Sequence, residues 1–510
     1  MTNKEHNGLI NFVGVVGAGT MGRGITYLLA LKGIKVILFN RSEVNLNKTK
    51  DYISNDLQRK LEKNKITEES KCNVLSKIIY SNQLEAISDC ELVIETIAES
   101  ERVKISILSE IEEITRQDAI IASNTSSLSL NKLASSLEHP ERFIGLHFFN
   151  PAQVMKLVEI VPAYFTSKDI TLQIKDFVTS LDKKYVVCKP TPGFIVNRMA
   201  RPFYLEGFRL LDENVAHPSQ IDLALKAGGY FRMGPIELTD FIGQDINYQV
   251  SRQIWESMDF DPRYTPSILQ RSLVDAGLLG NKNGCSYFTK KIVDESSVPQ
   301  RIISSPYIIH FHGNHSLFST LAQKVKSFWP DISLKMLPEI EDIGNCIVVN
   351  ADLIIKITDG RTANQIFRQK SLDTFIIDVS LDYSNTNYLV AAHNDSACEN
   401  NKSIFMTLMQ TVIPKIEFIK DSPGLIVGRV FSNLINESVF MVENGICTRD
   451  DINTAAVYGV NYSNGIFNWL EEIGPSNVHS ILHNISQLLP SARYYPHYSL
   501  LNPLHSALEI

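Results

Sequence analysis

No two cysteines stand close enough for a C-x-x-C motif: the seven lie apart, at Cys72, Cys90, Cys188, Cys285, Cys346, Cys398 and Cys447. This excludes a paired redox dithiol and the common zinc modules, so no metal set is expected. An odd, dispersed count points to reduced thiols in a cytoplasmic protein. Positive charge is not in excess either. The 49 Lys and Arg face 56 Asp and Glu, a net −7, without the basic footprint of a nucleic-acid partner. No apolar run approaches the roughly 18 residues that a membrane span needs. The opening stretch, MTNKEHNGLINFVGVVG, runs from a short polar lead into a strand and reaches glycine too soon for a signal peptide. With 44% hydrophobic and 21% charged side chains the chain is not disordered, and its 510 residues exceed one compact core.

Short apolar runs alternate with amphipathic ones through the first part of the chain. Phe12–Val16, Val36–Phe39, Leu92–Ile94, Ala119–Ala122, Phe143–Phe148, Leu157–Val161 and Tyr185–Cys188 read as strands. Leu46–Lys63 and Val103–Thr115 carry helical spacing between them, which predicts a doubly wound, mainly parallel α/β sheet over 1–189. Beyond Pro190 and Pro192 the pattern turns helical, predicting an all-α domain over 190–290. That domain recurs in constant register. Thr191-Pro192-Gly193-Phe194-Ile195-Val196-Asn197-Arg198 aligns with Ser422-Pro423-Gly424-Leu425-Ile426-Val427-Gly428-Arg429, and the alignment holds ungapped through Glu206 and Glu437, Gly234 and Gly465, and Gly243 and Gly474. A second helical domain is therefore expected over 416–510. Between the copies, 291–415 again alternates strand-like runs (Tyr307–Phe311, Cys346–Val349, Thr374–Val379, Tyr388–Ala392) with helical ones. Its Gly313-Asn314-His315-Ser316 has one glycine where a nucleotide loop needs three, so this segment reads as a degenerate Rossmann-like layer.

Gly17-Ala18-Gly19-Thr20-Met21-Gly22 lies where the first strand meets a helix, the context in which G-x-G-x-x-G binds a dinucleotide. The glycines permit the tight turn, the approach of the pyrophosphate and close helix–strand packing, and the phosphates then rest on the helix N-terminus. The second strand ends on Asn40-Arg41-Ser42, without the carboxylate that usually binds the ribose of NAD. Arg41 suits a 2′-phosphate, whereas Asn40 suits ribose hydroxyls, and NAD and NADP both stay open.

Ser123-Asn124-Thr125-Ser126-Ser127, Gly145-Leu146-His147-Phe148-Phe149-Asn150-Pro151, Lys156-Leu157-Val158-Glu159, the turn from Pro192 to Arg198, and Met233-Gly234-Pro235 form a distinctive set. Together they resemble the L-3-hydroxyacyl-CoA dehydrogenase family over about residues 10 to 290. In length and duplicated tail the chain is most similar to the bacterial 3-hydroxybutyryl-CoA and 3-hydroxyadipyl-CoA dehydrogenases with a fused second half. His147, ending a strand, has the intrinsic pKa of a general base, and Glu159 in the next strand returns beside it to fix and stabilise the imidazole. The resemblance implies that this is the catalytic pair and that Ser126 and Asn197 bind the substrate oxygen. It also implies that Glu99, Lys104 and Asn150 lie near the nicotinamide ribose and that Lys63 lies near the coenzyme A tail, where Asp56 replaces an expected serine.

The expected reaction is reversible oxidation of (S)-3-hydroxyacyl-CoA to 3-oxoacyl-CoA with NAD or NADP, coenzyme A entering only as part of the acyl-CoA thioester. A dehydrogenase of a free hydroxy or sugar acid on the same fold and a noncatalytic nucleotide-binding protein are the alternatives. Relatives that rely on a catalytic lysine fit less well, because a His–Glu pair holds that place. The second copy keeps Pro423, Gly424, Arg429 and Glu437 but has Gly428 where the first has Asn197. Framework without the substrate residue predicts an internal pseudo-dimer of helical domains with one active site per chain; a homo-oligomer of such chains stays open.

Overall fold

The computed structural model describes residues 10–288, 308–313, 316–329, 335–338, 340 and 343–501. The polar lead, Tyr307, Asn314, His315 and the start of the 291–415 segment lie outside the described residues.

The first sheet has eight strands: β1 (Phe12–Val16), β2 (Lys35–Phe39), β3 (Ile78–Ser81), β4 (Leu92–Glu95), β5 (Ile120–Ser123), β6 (Phe143–Phe148), β7 (Leu157–Pro162) and β8 (Lys184–Val187). Their order is β3-β2-β1-β4-β5-β6-β7-β8. All neighbours are parallel except β6 and β7, so the sheet is the doubly wound one that the alternating pattern predicts. Helices α1 (Thr20–Leu31), α2 (Glu43–Glu62), α3 (Glu68–Ser76), α4 (Glu101–Ile114), α5 (Leu130–Ala134) and α6 (Lys168–Ser180) supply the crossovers. Thr67, Ser129 and Ser167 start α3, α5 and α6 by accepting the N–H groups of Ser70, Lys132 and Ile170.

One parity along the strands fills the core. Val13 and Val15, Leu92 and Ile94, Ile120 and Ala122, Ile144 and Leu146, and Val158 and Ile160 pack with Ile25, Leu28, Leu29, Ile174 and Phe177. The opposite parity puts Glu95, Ser123, His147 and Glu159 on the other face of the same sheet, because side chains alternate along a strand. Hydrophobic burial on one face thus sets the polar residues of the other in register.

Helices α7 (Val196–Met199), α8 (Arg201–Asp212), α9 (Pro218–Gly228), α10 (Pro235–Ile242), α11 (Gln244–Ser257) and α12 (Ile268–Asp275) follow. The second sheet has strands β9 (Ile309–His312), β10 (Lys335–Leu337), β11 (Cys346–Val349), β12 (Leu353–Ile357), β13 (Asp373–Ile377), β14 (Tyr388–His393) and β15 (Lys415–Phe418), in the order β10-β9-β11-β12-β13-β14-β15. It is accompanied by α13 (Ser316–Phe328), α14 (Ala363–Lys370) and α15 (Glu399–Val412). The last helices are α16 (Val427–Glu443), α17 (Arg449–Gly459), α18 (Ile466–Ile473) and α19 (Pro475–Leu488).

Two compact units result. One joins Met1–Arg198 to Gly445–Asn461; the other joins Met199–Asn444 to Tyr462–Ile510. Within the second unit α8 packs along α16, and their polar contacts are reciprocal. The Tyr264 hydroxyl donates to Glu437 (2.5 Å) and the Tyr494 hydroxyl to Glu206 (3.0 Å). The Arg429 guanidinium, fully buried, donates to Glu206 and to both carboxylate oxygens of Glu213, each at 2.7 Å. Phe203 and Phe231 meet Phe431, Tyr462 and Trp469 in one aromatic cluster. Among the described residues no helix is long and apolar enough to cross a membrane.

Candidate functional site

The glycine loop closes the end of β1. Gly17 has φ +111°, a conformation that L side chains rarely adopt, and its N–H donates to Phe39 O at 2.8 Å. A Cβ on Gly22 would lie 1.8 Å from Gly17 O and 2.5 Å from Thr96 Oγ1, so helix and strand meet there without room for a side chain. A Cβ on Gly19 would meet nothing within 4 Å. Gly19 is also the N-cap of α1 and offers no side-chain cap, and Thr20 beside it is exposed and Met21 half-buried. The first N–H groups of α1 therefore face open space, as an anionic pyrophosphate requires. These residues fit a dinucleotide.

At the end of β2 the Asn40 Oδ1 accepts the Ala18 N–H (3.2 Å), while its Nδ2 donates to Ser42 O (3.1 Å). Asn40 thereby braces the glycine loop. Arg41 is exposed and donates to Glu110 at 2.9 Å.

Beyond β4 and β5, carboxylates organise the loop that carries Ser126. Buried Glu95 accepts from Lys104 Nζ (2.7 Å), the Ile97 N–H (2.6 Å) and the Ser123 hydroxyl (2.6 Å). Glu99 accepts from the Thr125 hydroxyl (2.5 Å), the Ser126 N–H (3.0 Å) and the Ser127 hydroxyl (2.8 Å), and lies 3.3 Å from Lys104. Burial raises the Glu99 carboxyl, but the Lys104 charge and these donors outweigh it and hold it below its usual range. Lys104 is only 1% exposed, between two carboxylates. In this geometry it positions Glu99 and, through Glu99, the main chain of Ser126. Sequence reasoning missed Glu95, whose burial is set by its parity in β4.

His147 and Glu159 are direct partners across β6 and β7. Nδ1 of His147 and Oε2 of Glu159 are 2.7 Å apart, with the carboxylate fully buried. The other oxygen of Glu159 accepts the Ile195 and Val196 N–H groups at 3.0 and 2.8 Å. One carboxylate thus holds both the imidazole and the start of α7, the short helix that carries Asn197. With Nδ1–H donating to the carboxylate, Nε2 keeps the lone pair that a base uses. The rings of Phe149 and Phe194 flank the imidazole at centroid distances of 4.6 and 6.0 Å. Asn150, two residues past β6, is exposed.

Lys63 caps α2 and is exposed. Asp56 accepts from the Tyr27 hydroxyl (2.8 Å) and pairs with Lys60 (2.9 Å). Burial raises the Asp56 carboxyl, yet these hydrogen bonds prevail and hold it low. Its negative charge is therefore matched within α2 and does not stand alone near Lys63.

The second sheet holds a different set at the corresponding place. Ile377 pairs with Ala391 across β13 and β14, and the Asp378 N–H donates to Val390 O at 3.1 Å. Asp378 thus takes the position of His147, and Val390 that of Glu159. The Asp378 carboxylate accepts the N–H groups of Ile426 (3.0 Å), Val427 (2.7 Å) and Gly428 (3.0 Å), which keeps the capping duty of Glu159 without an imidazole beside it.

Known families match the chain in the same order. The profile of the 3-hydroxyacyl-CoA dehydrogenase NAD binding domain covers residues 12–191. That of the 3-hydroxyacyl-CoA dehydrogenase C-terminal domain covers 193–290 and again 424–507. The 3-hydroxybutyryl-CoA dehydrogenase reduced Rossmann-fold domain covers 355–423. The chain is 34% identical over 489 residues to the 3-hydroxyadipyl-CoA dehydrogenase of Escherichia coli K12, covering 96% of each. It is 40% identical over 280 residues to the 3-hydroxybutyryl-CoA dehydrogenase of Bradyrhizobium diazoefficiens, 55% of this chain and 95% of that one. Among solved structures, the 3-hydroxybutyryl-CoA dehydrogenase of Escherichia coli K12 superposes with a TM-score of 0.84 at 31% identity, covering 97% of this chain and 98% of that one.

Proposed function

The chain belongs to the 3-hydroxyacyl-CoA dehydrogenase family, and on that premise we propose that it interconverts (S)-3-hydroxyacyl-CoA and 3-oxoacyl-CoA with NAD(P) as hydride carrier. The observation that carries this reading is the buried Glu159 carboxylate, which grips His147 on one oxygen and the helix of Asn197 on the other. When bound, the nicotinamide accepts hydride from the substrate carbon. The protein's own part is to remove the hydroxyl proton: His147 Nε2 takes it, and Glu159 stabilises the imidazolium that results. Ser126 and Asn197 bind the substrate oxygen. The glycines Gly17, Gly19 and Gly22 and the N-terminus of α1 hold the pyrophosphate, Asn40 and Arg41 face the adenosine ribose, and Glu99 and Asn150 face the nicotinamide ribose. Lys63 contacts the coenzyme A tail.

We place this activity in one site per chain, on the division 1–189, 190–290, 291–415 and 416–510, in a cytoplasmic enzyme whose seven cysteines are all free. The engaged Asn40 carboxamide and the Arg41–Glu110 pair support NAD as the working cofactor, since a 2′-phosphate competes with Glu110 for Arg41. Assay of NADH and NADPH against a short series of 3-oxoacyl-CoAs, with free hydroxy acids and sugar acids run in the oxidative direction, tests the reading. Thioester-dependent turnover is expected, and activity confined to free acids overturns it.

A further inference from the structure

The edge of the first sheet is covered by a segment from the far end of the chain. Residues 445–461 form one compact unit with Met1–Arg198, and α17 lies on β8 and β7. The attachment is polar at its start. The Lys189 N–H donates to Ile446 O at 2.9 Å. Asp451 closes the capping box of α17 with Thr448 and also accepts the Val187 N–H at 3.1 Å, so β8 and α17 share one carboxylate. At its end α17 approaches so closely that a Cβ on Gly459 would lie 2.7 Å from Leu157 Cδ2 and 2.9 Å from Val196 Cγ2.

Those two contacts are the neighbours of the reacting pair. Leu157 precedes Glu159 by one turn of the β7 pleat, and Val196 gives its N–H to Glu159 and is followed by Asn197. The same approach recurs in the other unit, where a Cβ on Gly228 at the end of α9 would lie 2.9 Å from Val379 O and 3.3 Å from Val427 Cγ2. There it presses on the Asp378 turn, which has no imidazole. Two corresponding packing contacts thus exist, each against the valine of its turn, of which one backs the His–Glu pair and the other does not.

We propose that α17 of the fused tail is a working part of the active site, with Gly459 as a positioning residue that sets the His147–Glu159–Asn197 geometry. The inference rests on the reaction assigned above. The missing Cβ at Gly459 lets α17 reach Leu157 and Val196 directly. An added Cβ requires both side chains to shift, and Val196, β-branched and stiff at χ1, passes that shift to its turn in a close-packed interior. A 1 Å misplacement of reacting groups costs on the order of 10²-fold in rate.

The test compares Gly459→Ala and Gly459→Val with Gly228→Ala and Gly228→Val in the full-length protein. Each variant is read by thermal midpoint, by kcat and KM with a 3-oxoacyl-CoA, and by NMR titration of the His147 imidazole, assigned through loss of its signal in His147→Gln. The Gly459 variants are expected to lower kcat by about tenfold or more at valine, to shift the His147 titration and to leave the KM of the cofactor unchanged. Adding Val196→Ala to Gly459→Ala, which removes the methyl that the new Cβ meets, should restore part of the rate. The Gly228 variants, whose added Cβ meets the Val379 backbone oxygen, should lose at least as much thermal stability and yet keep the wild-type kcat and His147 titration. If Gly459→Val proves unfolded, the alanine pair decides. Folded Gly459 variants with wild-type kcat and titration, or equal loss of kcat in both series, overturn the proposal. The imidazole titration needs no substrate, so it reports on positioning even if the wild type turns out to act on another substrate.

Discussion

Glu159 serves two neighbours with one carboxylate, which makes its substitutions informative in a way that those of His147 are not. Losing the base costs about 10²–10⁴-fold in rate, so His147→Gln should lower kcat by at least about 10²-fold and leave cofactor affinity, measured by calorimetry, nearly intact. Near wild-type turnover of a 3-oxoacyl-CoA in that variant would remove His147 from the role. Glu159→Gln should do comparable damage by a different route. Its amide NH₂ must face either the Ile195 and Val196 N–H groups, which then go unsatisfied, or Nδ1 of the imidazole, which then accepts and keeps its proton on Nε2, so that the base loses its lone pair. The cofactor end offers an independent test. A carboxylate at position 40 repels a 2′-phosphate, whereas Glu110 holds Arg41 only through an exposed pair worth about 0–1 kcal/mol. Asn40→Asp should therefore lower kcat/KM for NADPH relative to NADH, and Glu110→Gln should raise it. An NADPH-to-NADH ratio that stays constant across both variants means that this segment does not select the cofactor.

Buried carboxylates that cap helices in the second unit give the fold a pH dependence that can be read element by element. Burial pushes Asp222, which caps α10 through the Ile236 and Glu237 N–H groups, up to about 7, and Asp378 up to about 6. A carboxyl raised above its unfolded value binds its proton more tightly when folded, so its stabilisation is complete below about pH 4 and is lost as pH climbs towards 6 and 7. Glu206 is the opposite case. Burial raises it, but Arg209 and Arg429 prevail and bring it to about 2, so its contribution is present above about pH 4.5 and lost as pH falls towards 2. The thermal midpoint should rise from pH 2 to about 4.5 and then slope downward towards 7. Asp222→Asn should flatten the upper slope, and an unchanged slope would mean that Asp222 does not titrate there. Elements with simple apolar runs are the ones legible in the sequence: Phe12–Val16, Phe143–Phe148 and Cys346–Val349 occur with the bounds that their patterns predict. The missed strands have reasons. Ile78–Ser81 and Lys415–Phe418 are edge strands with one buried residue each, and Leu353–Ile357 hides a buried Lys356, whose ammonium donates to Ile343 O at 2.6 Å. The His147–Glu159 pairing follows from two adjacent strands and a turn, so local spacing reveals it. The packing of Gly459 on Val196 joins residues far apart in the chain, and no local pattern encodes it.

At the scale of the whole molecule, the repeated C-terminal domain, matched at 193–290 and again at 424–507, brings α8 of one copy against α16 of the other within a single chain. The reciprocal donation of Tyr264 to Glu437 and of Tyr494 to Glu206 is the signature of a self-complementary contact, in which each copy offers the other the same groups. Its apolar part is large side chains from both copies: Phe203 and Phe231 from the first, Phe431, Tyr462 and Trp469 from the second. A chain ended at residue 290, where the first match to the C-terminal domain profile stops, keeps Phe203, Phe231 and Glu206 but loses Phe431, Tyr462 and Trp469 from the aromatic cluster and Arg429 and Tyr494 from Glu206. It also loses α17 from β8. Exposed apolar surface of this kind drives self-association. Because Gly228 ends α9 as Gly459 ends α17, and each meets the valine of a corresponding turn, a second copy of the shortened chain can present α9 where α17 stood. The shortened protein should therefore elute as a dimer or larger species by light scattering. Its specific activity should rise with protein concentration, whereas that of the full-length chain should not. A shortened chain that is monomeric, soluble and fully active at nanomolar concentration would contradict both the internal pairing and the part given to α17.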